Sequence, residues 1–195
     1  MHNYVIVSLF ADLGCLVLLS QLMRAEGGKL TDLLGFQRER LGRDILLGLC
    51  MFLVMALAYY LAPLLSALLI TGTADASAAW VQGPFSTPSW VHLWNITIFP
   101  ITTSLTEELV YRGYALPRIE RLSRRAWVAV VLPAVAFGLA HLSPPFITLE
   151  SVLMRFLTLA LVGVVLELLY LRLRRLIPLT VGYYFIDLIF PFIFA

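Results

Sequence analysis

Charge is what this sequence has least of. Of its 195 residues, 13% are Asp, Glu, Lys or Arg, about half the share in an ordinary soluble domain. So few charges cannot cover a folded surface in water, which excludes a soluble globular domain of this length. Cysteine is scarcer still. Cys15 and Cys50 both lie in apolar runs and read as small buried residues, which excludes a disulfide framework and a cysteine-built metal site. There are three histidines and no His-Glu-x-x-His spacing, which excludes the zinc-hydrolase helix that such a motif builds. The net charge is only +2 and no basic patch is interleaved with aromatics, so no nucleic-acid partner is expected. No segment repeats at a fixed period, which argues against a transporter built from inverted repeats.

What the chain has in abundance is apolar length. It is 61% hydrophobic, with a mean hydropathy of +0.90. Apolar runs of roughly 20 residues are candidate membrane spans. Six are expected, at about Tyr4–Met23, Asp44–Ile70, Trp90–Leu116, Ala126–Leu142, Leu149–Leu171 and Ile177–Phe194. The fold class is therefore all-α, a polytopic transmembrane helical bundle forming one integral membrane domain over residues 1–195. The first run is too long for a signal-peptide core and has no basic flank before it, so it reads as a retained helix. Arg24 to Arg43 reads as an amphipathic connection along the membrane surface. Pro63 is expected to kink or interrupt the second span, and Pro100 the third. Between the second and third spans, Gly72, Gly83, Pro84 and Pro88 mark a loop that dips into the interface through Trp80 and Phe85. Ser143-Pro144-Pro145 ends the fourth span.

The few basic residues are ordered. Arg24, Lys29, Arg38, Arg40 and Arg43 fall in the first connection. Arg118, Arg121, Arg124 and Arg125 fall in the third, and Arg172, Arg174 and Arg175 in the fifth. The second and fourth connections and both termini have none. Basic residues accumulate on the cytoplasmic side, so the alternation supports six spans with both termini outside the cytoplasm. The two exceptions are Arg112 and Arg155. Arg155 and Glu150 read as snorkelling near the outer end of the fifth span, and Glu167 reads as reaching the Arg172–Arg175 cluster.

Against this background one stretch stands out, Thr106-Glu107-Glu108-Leu109-Val110-Tyr111-Arg112. A charge deep in hydrocarbon costs about 3 kcal/mol on insertion scales, so three within six residues must pair, neutralise or face a wet cavity. On a helix Glu108 and Arg112 share a face, with the carboxylate N-terminal, the better order. Glu107 points about 100° away and is left for chemistry. His141, in Phe137-Gly138-Leu139-Ala140-His141, can join a carboxylate in deprotonating a water. Asp187 lies roughly 15 Å along the last span, with Tyr183 one turn earlier on the same face. His2 and His92 stand at segment ends and read as interfacial.

Glu-Glu-x-x-x-Arg, then Phe-x-x-x-His, then an Asp on the last span, in that order, resembles the CPBP family of intramembrane proteases, also called CAAX protease and bacteriocin-processing, or Abi, proteins. The resemblance covers about residues 90–194, the catalytic core it implies. It implies a metal-independent, glutamate-type intramembrane endopeptidase with no cofactor. Its partners are the lipid bilayer and a membrane-anchored or C-terminal peptide substrate, and its expected location is the inner membrane of a prokaryotic cell. In that scheme Glu107 is the general base and His141 assists it, while Glu108 and Arg112 give structural and electrostatic support. The third motif, usually His-x-x-x-Asn or His-x-x-x-Asp, stabilises the oxyanion. Asp187 matches that motif, but Tyr183 stands where its histidine belongs, so the phenol or a protonated Asp187 would have to donate. An inactive scaffold or chaperone of the same fold is the alternative, with a proton-coupled transporter behind it.

Reporter fusions test the topology. Fusions at Gly28, Ser123 and Arg174 should report the cytoplasm, and fusions at Ala76 and Pro145 the opposite side. One reversal within this set breaks the assignment.

Overall fold

In the computed structural model the residues described are 2–79, 89–142 and 148–193. Every regular element among them is helical, the form in which an apolar segment satisfies its own backbone hydrogen bonds without water. The helices are α1 (His2–Ala25), α2 (Leu41–Thr71), α3 (Ser89–Glu107), a π-helical segment (Glu108–Ala115), α4 (Leu116–Ser123), α5 (Ala126–Ala140), α6 (Leu149–Leu173) and α7 (Leu176–Ile193). The architecture is the expected all-α membrane helical bundle. Among the described residues, Ser8–Ala25, Leu30–Thr71 and Leu149–Leu173 are long and apolar enough to cross a membrane, and Ala126–Ala140 and Leu176–Ile189 are shorter apolar helices. The remaining span, α3 with the segment after it, is the polar one. The expectations for Trp80, Phe85, Gly83, Pro84 and Pro88, for Ser143-Pro144-Pro145, for Phe194, and for the side chains of His2 and His92 fall outside the described residues.

Several boundaries differ from the sequence expectation. α2 continues through Pro63 to Thr71 without a break in its helical assignment. The Arg24–Arg43 connection is locally wound. It forms two short 3-10 turns, Leu30–Leu34 and Arg38–Arg40, the first ending at Gly35 with φ +56°. That turn packs against α1, the π segment and α7. The third span does not stop at Leu116, because helix resumes there and runs to Ser123 as α4. The connections after α4 and α6 are two residues long, and in each the first arginine, Arg124 or Arg174, takes a left-handed conformation, which ends the preceding helix at once.

Backbone contacts gather the chain into two units. The first comprises Met1–Phe52, Pro84–Ala115 and Arg174–Ala195. Within it α3 packs against α1 and α7. The first half of α2 comes so near α7 that a Cβ on Gly48 would sit 2.6 Å from Val181. Such close approach is how helices associate in lipid, where dispersion must do what hydrophobicity does in water. At one end of the unit Asp44, buried at the start of α2, pairs with Arg175.

The second unit comprises Leu53–Gly83 and Leu116–Leu173. Its main contact is α5 along α6, with α4 packed on α5 and the short turn Ser77–Ala79 on α6. Gly138 makes the close approach of α5 to α6, since a Cβ there would lie 2.8 Å from the Phe156 carbonyl oxygen and 3.1 Å from the Ala160 amide. Arg155, expected to snorkel, reaches the Ala79 carbonyl with Nη1 at 3.5 Å. Glu167 is fully buried in α6.

The glycine contact yields a stability prediction. Gly138→Ala pushes a methyl into backbone that cannot move aside, so the melting temperature in detergent should fall by the equivalent of about 1–3 kcal/mol. Gly14→Ala, with nothing within 4 Å of its Cβ, should be neutral or stabilising by up to about 1 kcal/mol. Equal melting temperatures for the two variants would contradict the packing of α5 on α6.

Candidate active site

The acidic stretch begins where α3 stops being an α-helix. Glu107 is its last residue, and Glu108–Ala115 is π-helical, where an α-helix was expected to run on to Leu116. Pro117 supplies a physical reason. It has no N–H, so the Gly113 carbonyl lacks the donor four residues on that an α-helix uses, whereas a five-residue step brings Arg118 into register. Such wide turns inside membrane and soluble helices recur at functional sites. Upstream, Pro100 lies within α3, and polar side chains settle into the apolar helix by bonding back to its carbonyls. Ser104 Oγ donates to Pro100 O at 2.5 Å, and Thr97 Oγ1 to Leu93 O at 2.6 Å, a habit that bends helices.

The expected Glu108–Arg112 pair forms on this wider turn. Arg112 Nη1 stands 3.3 Å from Glu108 Oε1, and both side chains have 0% exposure. The guanidinium carbon also lies 5.5 Å from the centre of the Tyr111 ring, within cation–π range. Glu107, one residue earlier, faces α7. There the Tyr183 hydroxyl, on a side chain only 1% exposed, donates to Glu107 Oε2 at 2.5 Å. The residue in the third motif's histidine position thus donates a hydrogen bond to the carboxylate of the first motif. Asp187, one turn further along α7, has its Oδ2 buried with no hydrogen-bond partner among the described residues.

His141 belongs to the second unit. It caps the C-terminus of α5, its Nδ1 lies 2.8 Å from the Phe137 carbonyl, and its ring meets the Phe137 ring at 4.4 Å between centroids. A carbonyl can only accept, so Nδ1 carries the hydrogen, and in the neutral ring Nε2 is left with the lone pair. The phenylalanine of the second motif thereby orients the histidine of the same motif from both its backbone and its ring.

Residues 88–189 match the family described as type II CAAX prenyl endopeptidase Rce1-like. The chain belongs to that family. No curated protein and no solved structure matches it. The matched segment holds all three motifs read from the sequence, Glu107-Glu108…Arg112, Phe137…His141 and Tyr183…Asp187, and membership supports an intramembrane protease of the CAAX type in a lipid bilayer.

Sequence reasoning overlooked one acid. Asp12 lies in α1, outside the matched segment, and its Oδ2 accepts a hydrogen bond from Thr103 Oγ1 at 3.2 Å. The signal was available, since Asp12 interrupts the first apolar run just as Glu107 interrupts the third. Among the described residues no three His, Cys, Asp or Glu side chains are grouped to hold a metal ion.

The buried pair sets a third expectation. Removing one partner strands the other charge, at about 3–5 kcal/mol, so Glu108→Ala and Arg112→Ala should each lower the melting temperature in detergent. Replacing both with leucine should cost less than either single change. If both single variants melt with the parent, the pair does not hold this turn.

Proposed function

We propose that the chain is a glutamate-type intramembrane endopeptidase that cleaves near the C-terminus of a membrane-anchored CAAX-like peptide, for which the family's description makes a prenylated peptide the first probe. The observation that carries this reading is the Tyr183–Glu107 hydrogen bond. It joins the first and third motifs in one part-buried polar centre, while Arg112 is already engaged by Glu108. Glu107 takes a proton from water, and the water oxygen bonds to the scissile carbonyl carbon. The carbonyl electron pair moves onto its oxygen, and collapse of that oxyanion expels the amine, which receives the proton. The proposal requires His141 to reach the same water through Nε2, the nitrogen that its bond to Phe137 leaves with the lone pair. Tyr183 orients Glu107 before the reaction and is the group that can turn to the oxyanion as negative charge moves there. A protonated Asp187 is the second candidate donor. Glu108 and Arg112 hold the turn.

The same hydrogen bond carries the competing reading, a non-catalytic scaffold in which Tyr183 permanently caps the base. Cleavage of a farnesylated CAAX peptide in liposomes separates the two. Glu107→Gln keeps the shape and removes the base, and His141→Ala removes its helper. Each alone should abolish turnover, and the double variant should lose little more, because groups acting as a unit are not additive. Tyr183→Phe should lose about 10²–10³ in rate if the phenol serves the oxyanion. Full turnover by Glu107→Gln sinks the mechanism. A silent parent that Tyr183→His brings to life establishes the capped scaffold.

A further inference from the structure

The segment that matches the family begins at residue 88, so nothing in that match accounts for the acid in α1. An ionisable side chain within an apolar helix loses hydration that apolar neighbours do not replace, and the carboxylate of Asp12, half-buried in α1, is met by the Thr103 hydroxyl at 3.2 Å. Thr103 stands one helical turn before Glu107, on the helix that packs against α1. That turn of α3 is weakly determined by its own backbone. Pro100 withdraws an N–H on one side, and the π segment opens at Glu108 on the other. A turn with a backbone donor missing before it and a π segment after it takes its rotation from the helices packed on it, and a rotation here would swing Glu107 away from α7. Two side-chain bonds from neighbouring helices oppose this. One is Tyr183 to Glu107 at 2.5 Å from α7, and the other is Asp12 with Thr103 from α1.

We propose that Asp12 is a positioning residue for Glu107. By accepting the Thr103 hydroxyl it sets the rotation of the α3 turn that presents Glu107 to Tyr183. Its kinetic consequence rests on the endopeptidase reading above, whereas its structural consequence does not. A carboxylate suits the task because its oxygen accepts the Thr103 hydroxyl.

The experiment uses the full chain in liposomes with 3-fluorotyrosine at position 183, whose fluorine NMR signal reports the phenol's hydrogen bond, and a farnesylated CAAX peptide as substrate. Asp12→Ala and Thr103→Val should each shift that signal and lower kcat about 10²-fold, the loss that a displacement near 1 Å produces, with KM unchanged. The double variant should lose no more than the worse single, since both break one bond. Asp12→Asn, whose amide oxygen still accepts, should restore signal and rate. Thr103→Val is nearly isosteric and keeps the test open if Asp12→Ala does not fold. A parental signal at 183 in both variants, even with a lowered melting temperature, overturns the proposal and leaves Asp12 as a packing residue. Additive losses in the double variant overturn it too. A parent that cleaves no peptide, with the signal still moved in both variants, upholds the positioning role and removes the endopeptidase reading instead.

Discussion

A guanidinium and a carboxylate with no exposure face each other at 3.3 Å inside apolar helices, and the polar centre of this protein depends on that contact. Neither charge is tolerable alone at such a depth. Together they let one turn of a membrane helix carry ionisable groups. Because Arg112 is taken by Glu108, the neighbouring Glu107 can be directed to a different helix, where the Tyr183 hydroxyl meets it. Adjacent acids thus hold different partners, one a guanidinium and the other a phenol hydroxyl.

The helix around this pair is shaped to hold it. Pro100 withdraws a backbone donor within α3 and the π segment opens just after Glu107, while the Thr97 and Ser104 hydroxyls turn back onto carbonyls of the same helix. These features weaken α3 as an independent helix. Packing on α1 and α7 restores what the backbone gives up, and cross-helix bonds from Asp12 and Tyr183 specify the rotation that packing leaves open. The first unit is therefore a polar centre enclosed by close-packed helices, with Gly48 allowing α2 to reach α7. The second unit solves a smaller problem. It fixes a single imidazole at the end of α5 by a carbonyl and a ring from the same motif, on a helix held tightly to α6 at Gly138.

Much of this was legible in the linear sequence, for a definite reason. Hydropathy and the alternation of basic residues are one-dimensional signals, because a bilayer sorts segments by length and charge before they pack. The all-helical class and the pairing of Glu108 with Arg112 follow from apolar run length and from helical spacing. The three motifs were readable as residue types in order, and they lie within the segment, residues 88–189, that matches the family.

Other features depended on tertiary structure. That Glu108–Ala115 is π-helical was not legible, since spacing rules assume a regular period and a missing donor at Pro117 does not announce which wider turn replaces it. That Tyr183 donates to Glu107 was not legible either. A phenol in a histidine's place can serve several acceptors, and only the packing of α7 on α3 selects one. Asp12 was visible as an acid in an apolar run, but its tie to Thr103, 91 residues away, exists only once α1 lies along α3. Sequence alone determined which segments are apolar helices and which residue types they carry, because hydropathy and helical hydrogen bonding are decided segment by segment. Tertiary structure decided which acid meets which partner, because a hydrogen bond needs two groups within about 3 Å, and no pattern along one chain sets the rotation of one helix against another.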